Sequence, residues 1–242
     1  MRRKTSMKSF IELVVARHQE DMRWLRRVPA SISVTIYNKG TNPPLHGEVD
    51  RREGLSIIDL PNEGREAHSY LTHFVRNYED LAETTVFCQG HPFDHAPDFH
   101  KRLKALAEGK ECPAPFLWYG FLDETDDLYG ERLFVPWSKN PTREKLSTGK
   151  LYEELFCVPP PELFHFRGGA QFAVTREAAH RRERNFYERA LKLSLKIPHA
   201  AHSLERIWDR FFGDPVINSS ELGEEGVRYG KRIRRLESPA EE

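Results

Sequence analysis

The apolar positions along this chain fall first into short runs of strand length. Residues 10–16 (FIELVVA) are nearly continuous in their apolar character, which predicts a buried strand. The polar stretch Arg17-His18-Gln19-Glu20-Asp21 breaks it, and Met22, Trp24 and Leu25 then start a short helix with Glu20 and Asp21 at its positive end. Residues 31–37 (SISVTIY) predict a second strand. Asn38-Lys39-Gly40 and Asn42-Pro43-Pro44 predict a loop. Residues 55–60 (LSIIDL) predict a third strand, closed by Pro61-Asn62-Glu63-Gly64. From about 66 to 78 the period changes: Ala67, Tyr70, Leu71, Phe74 and Val75 recur at helical spacing. Residues 84–88 (TTVFC) return to strand character.

This alternation predicts an α/β fold: a single domain with a mostly parallel sheet flanked by helices. In such sheets ligands sit outside the carboxyl ends of the strands. Three polar segments fall there: Arg17 to Asp21, Asn62 to Glu66, and Gln89 to His95. The second half is less regular. Residues 99–106 predict a helix, 116–122 a strand or packed loop, 123–127 an acidic loop, and 136–148 irregular chain. Arg167-Gly168-Gly169-Ala170-Gln171 reads as a turn feeding a strand at 171–174. A long helix is expected from 176 to about 195, and another over 204–212, closed by Gly213 and Pro215. The domain is therefore placed at 8–216. Residues 217–242 are read as a charged, flexible tail.

Composition narrows the function classes. Among 242 residues, Lys+Arg and Asp+Glu are both 37, so the formal net charge is zero. A nucleic-acid binder needs a basic excess to neutralise phosphates, which argues against that partner. Basic clusters at Arg2, Arg3, Lys4 and at Lys231, Arg232, Arg234, Arg235 read as solvated ends. Cys88, Cys112 and Cys157 are scattered and form no CxxC pair, which points to a reducing compartment rather than a zinc or redox motif. No apolar run is long enough for a transmembrane segment, and the basic N-terminus leads into a strand rather than a signal peptide. A cytoplasmic location is expected.

Candidate chemistry gathers at the strand ends. His91, Asp94 and His95, with His100 further on, are donors suited to a divalent cation, manganese or magnesium; alternatively, His91 and Asp94 only cap the turn that Pro92 shapes. Gly64-Arg65-Glu66 stands at a helix N-terminus, where backbone N–H groups and a guanidinium favour an anion. Arg17, Glu20 and Asp21 follow the first strand, where they either meet a ligand or cap the helix. Gly168-Gly169 permits close backbone approach to a ligand, or a simple hairpin turn. His199, His202 and Glu205 follow. Glu205, read as the start of a helix that also carries Trp208, is a candidate general base.

Several of these blocks occur together in a known family. Val14-Val15-Ala16-Arg17-His18-Gln19-Glu20-Asp21, Ile36-Tyr37-Asn38-Lys39-Gly40, residues 60–71 (LPNEGREAHSYL), residues 86–95 (VFCQGHPFDH) and residues 169–174 (GAQFAV) resemble the fungal and bacterial domain of unknown function 3431 (DUF3431). They run in order through roughly 10–213. A more distant resemblance, to GT-A glycosyltransferases, implies a nucleotide-sugar donor and an unknown acceptor. On that resemblance Arg17, Glu20 and Asp21 fall on the nucleotide loop, Gly64 and Arg65 meet the donor, and Gln89, Gly90 and His91 stand where an Asp-x-Asp motif is expected. His91, Asp94 and His95 would hold a divalent ion, Asp94 sharing in catalysis. Gly169 and Gln171 would shape the acceptor strand, and Glu205 would be the catalytic carboxylate. The leading expectation is a glycosyltransferase. A metal-dependent enzyme of another class, or a non-catalytic nucleotide- or sugar-binding domain, are the alternatives.

Overall fold

A computed structural model of the chain describes residues 10–41, 52–111, 114–138, 143–213, 217 and 228–229. Its strands are β1 (Ile11–Arg17), β2 (Ile32–Asn38), β3 (Leu55–Asp59), β4 (Thr84–Gln89), β5 (Phe116–Trp118), β6 (Leu122–Asp127), β7 (Leu163–Arg167), β8 (Phe172–Thr175) and β9 (Arg228–Tyr229). Its helices are α1 (Arg65–Asn77), α2 (Phe99–Ala107), α3 (Phe134–Trp137), α4 (Thr148–Phe156), α5 (Arg176–Ala179), α6 (Arg184–Lys196), α7 (Ala200–Glu205) and α8 (Trp208–Phe212).

The main sheet has six strands in the order β3-β2-β1-β4-β8-β5. β1 pairs parallel with β2 and β4, and β2 pairs parallel with β3. β8 alone runs against its neighbours β4 and β5. The sheet is thus mostly parallel and flanked by helices. The near-continuous apolar runs of β1 and β2 follow from burial on both faces. Alternate residues point to opposite sides. Val14, Ala16, Tyr37 and Phe87 join a core with α1, α6, α7 and α8. Leu13, Val15, Val34, Ile36, Val86 and Cys88 join a second core with Met22, Leu25, Phe99 and Leu103. β3 is an edge strand, and Ile57 there is 43% exposed.

A three-stranded sheet, β7-β6-β9, stands beside the first. Residues 123–127, expected as an acidic loop, are most of β6. Two of their carboxylates are buried against arginines: Asp123 accepts from Arg167 Nε at 2.5 Å, and Asp126 accepts from Arg206 Nε and Nη2 at 2.9 and 2.7 Å. These partners are distant in sequence, so the local pattern of charges could not show that the strand is buried. The segment 217–242, read as a tail, supplies β9, whose Arg228–Tyr229 pairs antiparallel with β6. Apart from Ile217 and these two residues, the segment lies outside the described residues, as do both basic ends and the Asn42-Pro43-Pro44 loop.

Four further expectations need correction. The short helix after β1 is a 3-10 turn, Met22–Arg27, whose N-cap Asp21 accepts from the Arg23 N–H. The expected helix over 176–195 is two helices, α5 and α6: His180 closes the first, and the extended Glu183 delays the second to Arg184. The expected helix over 204–212 is likewise split: Glu205 ends α7 rather than starting a helix, and Trp208 begins α8. The stretch 136–148, read as irregular, overlaps one helical turn at its start, Phe134–Trp137, and α4 begins at its last residue, Thr148. Among the described residues, no helix is long and apolar enough to cross a membrane.

β2 and β4 lie on opposite sides of β1, so the strand order reverses at β1 and β4. A crevice opens outside the carboxyl ends of strands at such a point. Arg17 and Gln89 are the last residues of these two strands.

Candidate functional site

Two adjoining cavities fill that crevice and share Arg65, Glu66 and Gln89. The larger, about 420 Å³, is lined by Arg17, His18, Glu20, Lys39, Asn62, His91 and Asp94 besides the shared residues. The smaller, about 150 Å³, is lined by His95, Glu124, Phe134, Trp137, Gly168, Gly169, His202, Glu205 and Arg206, among others.

The floor of the larger cavity is a lattice of strand ends. Arg17 closes β1 and is buried; its Nη1 donates to Asn38 Oδ1 at 2.6 Å and its Nε to the Glu20 carbonyl at 3.0 Å. Asn38 in turn donates to Asp59 Oδ1 at 2.8 Å, which ties β2 to β3. Arg17 therefore braces the floor, and less of its charge faces the cavity than the sequence implies. Lys39 is also buried. Its ammonium donates to the Glu63 carbonyl at 2.5 Å and to the Arg65 carbonyl, holding the turn before α1 against the sheet. Burial pulls the Lys39 ammonium down to about 8, with Glu66 and Glu63 pulling the other way.

At that turn Gly64 and Arg65 both have positive φ, 61° and 49°. A Cβ on Gly64 would come within 2.7 Å of His68 Cβ, so glycine is required there. The left-handed Arg65 is a strained non-glycine position, a kind that clusters at ligand sites. It leaves the Arg65 guanidinium mostly exposed at the junction of the two cavities, beside the N-terminus of α1.

The smaller cavity is rich in carboxyl groups. Glu205, at the end of α7, accepts from the Gly169 N–H at 2.6 Å. His202 Nδ1 lies 4.0 Å and Arg206 Nη1 3.6 Å from its other oxygen. Burial alone would raise its pKa, but His202, Arg206 and the Gly169 N–H together hold it below the ordinary carboxylate value. Glu124 on β6 behaves oppositely: burial pushes it up to about 7, and Glu205 adds to that rise. Burial also raises Glu66. Divergent pKa values in neighbouring acids separate a proton acceptor from proton carriers. Gly168-Gly169 makes this convergence possible: a Cβ on Gly168 would lie 2.5 Å from the Glu124 carboxylate, and one on Gly169 (φ 98°) would lie 2.5 Å from His95 Cβ.

Of the residues picked out from sequence, Arg17, Glu20, Arg65, Gln89, His91, His95, Asp94, Gly169 and Glu205 line the two cavities. Others do not. Asp21 is turned outward to cap the 3-10 turn and pair with Arg23 at 2.5 Å. Gly90 is pressed against the Glu20 carboxylate, and its carbonyl accepts from Trp24 Nε1 at 2.8 Å. Gln171 is fully buried, its amide donating to the Pro92 carbonyl at 3.0 Å, so it braces the 91–95 turn from behind.

The expected metal trio is split. His91 Nδ1 and Asp94 Oδ2 lie 3.3 Å apart at the mouth of the larger cavity, and the Asp94 side chain is 76% exposed. His95 faces the smaller cavity. His100 is turned away to the Trp24 carbonyl. Residues 92–94 form a 3-10 turn, which sends successive side chains in different directions. Among the described residues, no three His, Cys, Asp or Glu side chains form a group able to hold a metal ion. These donors do not fit a protein-bound metal centre.

The sequence alone singles out none of Glu124, Arg206, Phe134 and Trp137 as a site residue. Lys39 stands out there only as part of a block. Its place after a strand, beside Gly40, is the one local signal for any of the five.

No curated protein matches the chain. Among solved structures it is similar to a CMP:2-keto-3-deoxy-manno-octonic acid synthetase complexed with CTP, at 13% identity over 84% of this chain and 86% of that one, with a TM-score of 0.35. It is also similar to a mannose-1-phosphate geranyltransferase from Thermus thermophilus, at 11% identity over 80% of this chain and 66% of that one, with a TM-score of 0.34. The family described as Protein of unknown function (DUF3431) matches residues 13–221, most of the chain, and the chain belongs to that family.

Proposed function

We propose that this protein transfers a sugar from a nucleotide-activated donor to a hydroxyl group of an acceptor. One observation carries the reading. A single cleft at the β1/β4 strand ends joins a half that carries Arg17, Lys39 and Arg65 to a half that carries Glu124 and Glu205, and Arg65, Glu66 and Gln89 belong to both. The donor diphosphate would lie in the larger cavity, facing the N-terminus of α1, Arg65 and Lys39. The acceptor would enter the smaller cavity beside Glu205.

The ionised Glu205 takes the proton of the acceptor hydroxyl. The hydroxyl oxygen bonds to the anomeric carbon, and the bond from that carbon to the diphosphate oxygen breaks. The electron pair leaves with the nucleoside diphosphate, whose charge Arg65 and the α1 N–H groups stabilise.

Thermal-shift titration with UDP-, GDP- and CDP-sugars, with and without manganese, tests this. A saturating rise in Tm with one nucleotide class is expected, since a ligand bound only to the folded state stabilises it by mass action. A rise with manganese alone, and none with any nucleotide, would instead favour a metal-dependent enzyme of another class. With the responsive donor, Glu205→Gln should keep the Tm response and lose roughly 10²–10⁴-fold in transfer rate. Undiminished transfer by that variant would remove Glu205 from the role of base.

A further inference from the structure

The smaller cavity has features that proton transfer alone does not require. Its volume, about 150 Å³, is that of a space holding one six-membered ring. Its wall is aromatic: Phe134 is buried with its centroid 4.8 Å from that of His202, and Trp137 stands at the mouth, 66% exposed and edge-on to His202 at 6.3 Å. A tryptophan left that exposed, beside a cavity, is a flat apolar platform with no structural load on its outer face.

The charges around this space are lopsided. Glu66, Glu124 and Glu205 all line it. The cation deepest in it, Arg206, is already committed to Asp126 through two hydrogen bonds, and Arg65 lies near Glu66 at 3.7 Å. A phosphorylated or carboxylated ligand would meet three carboxyl groups here, while the two arginines are already engaged by Asp126, Glu205 and Glu66. A ligand bearing hydroxyls suits them better, because each hydroxyl can donate to a carboxylate or accept from a protonated carboxyl.

We propose that the cavity between β6, the Gly168-Gly169 turn and α7 seats a neutral pyranose ring, one face stacked on Trp137 and its hydroxyls on Glu124 and Glu205, as the acceptor. This deepens the transfer reading and rests on it for the word acceptor, but the binding itself needs no donor. The acceptor is thereby a sugar residue without phosphate or carboxylate groups.

The experiment is a titration of the full chain, without nucleotide, by methyl glycosides of glucose, galactose, mannose and N-acetylglucosamine, followed by ligand-observed NMR saturation transfer and tryptophan fluorescence. Glucose 6-phosphate and mannose 6-phosphate serve as anionic counterparts. At least one neutral glycoside should bind saturably, with its ring protons receiving the saturation, and its phosphorylated counterpart should bind about tenfold or more weakly. Trp137→Ala, an exposed change that leaves the core intact, should weaken the neutral ligand by about tenfold, in keeping with loss of one aromatic contact. Failure of all four neutral glycosides up to solubility, equal or tighter binding of the phosphates, or unchanged affinity in Trp137→Ala would each overturn the proposal. If glycosides bind while no nucleotide-sugar shifts the Tm, the ring site stands and the transfer reading falls; the reverse result sinks only the ring site.

Discussion

Glu124 shows how one side chain carries a measurable consequence of this arrangement. Burial pushes its carboxyl up to about 7 from an ordinary 4.5, with Glu205 adding to the rise and Arg206 opposing it. Because the folded-state value is the higher one, the stability it contributes is full below about 4.5 and is lost as pH rises through about 7. Glu124→Gln cannot ionise and escapes that loss. Between pH 5 and pH 8 the wild type should lose Tm relative to Glu124→Gln, by a few degrees, since ~1 kcal/mol moves Tm by about 2–4 °C at this chain length. Parallel Tm-against-pH curves for the two proteins would mean that Glu124 titrates normally. No local signal marked this residue: in sequence it is one of several acids between Asp123 and Asp127, and only the folded chain distinguishes it.

Among the elements, β6 and α7 are held together by one buried ion pair. Asp126 accepts from Arg206 twice and also from the Leu133 and Phe134 N–H groups at 3.0 and 3.2 Å, so it caps α3 while it fixes the residue after α7. The Arg206 guanidinium lies over the Phe166 ring at 4.7 Å, which locks its plane. Arg206 is a positioning residue for Glu205. Arg206→Met should cost about 3–5 kcal/mol in urea unfolding, because it strands the Asp126 charge in the interior. Adding Asp126→Asn should recover part of that loss, since the amide oxygen still caps α3 without a charge to strand. If the double variant is as unstable as the sum of the single ones, the two residues are not energetically coupled.

At the scale of the whole molecule, the cleft is two subsites on one sheet edge. Lys39 serves the first and Trp137 the second, from opposite ends. The expectation is a clean separation. Lys39→Met should abolish the Tm rise with nucleotide-sugar, by removing an ammonium from the anion half and loosening the turn before α1, while leaving glycoside binding within about twofold; that is close to the ~0.5 kcal/mol expected of independent sites. Trp137→Ala should do the opposite. Isothermal titration of both ligands against both variants reads this directly, and loss of both responses in either variant would show that the subsites act as one.

Local pattern along the chain is enough to read the strands β1 to β4, the helix α1 between β3 and β4, and hence the strand ends where the cleft lies. Those elements rest on local hydrophobic periodicity, and a buried parallel strand leaves an unbroken apolar run that needs no distant partner to be read. The strand-end reading also put Arg65 and Gln89 beside the cleft, and the resemblance to glycosyltransferases put Glu205 there. The remainder depends on contacts that only folding makes. Whether Asp123 and Asp126 lie in solvent or in a sheet depends on Arg167 and Arg206, which only folding brings near. Whether His91, Asp94 and His95 share a ligand depends on how one 3-10 turn splays three side chains, and they part. The charge of Glu124 depends on how deeply it is buried and on Glu205 and Arg206, which are remote in sequence. Periodicity is a local property of the chain, whereas desolvation and charge pairing are properties of the assembled fold.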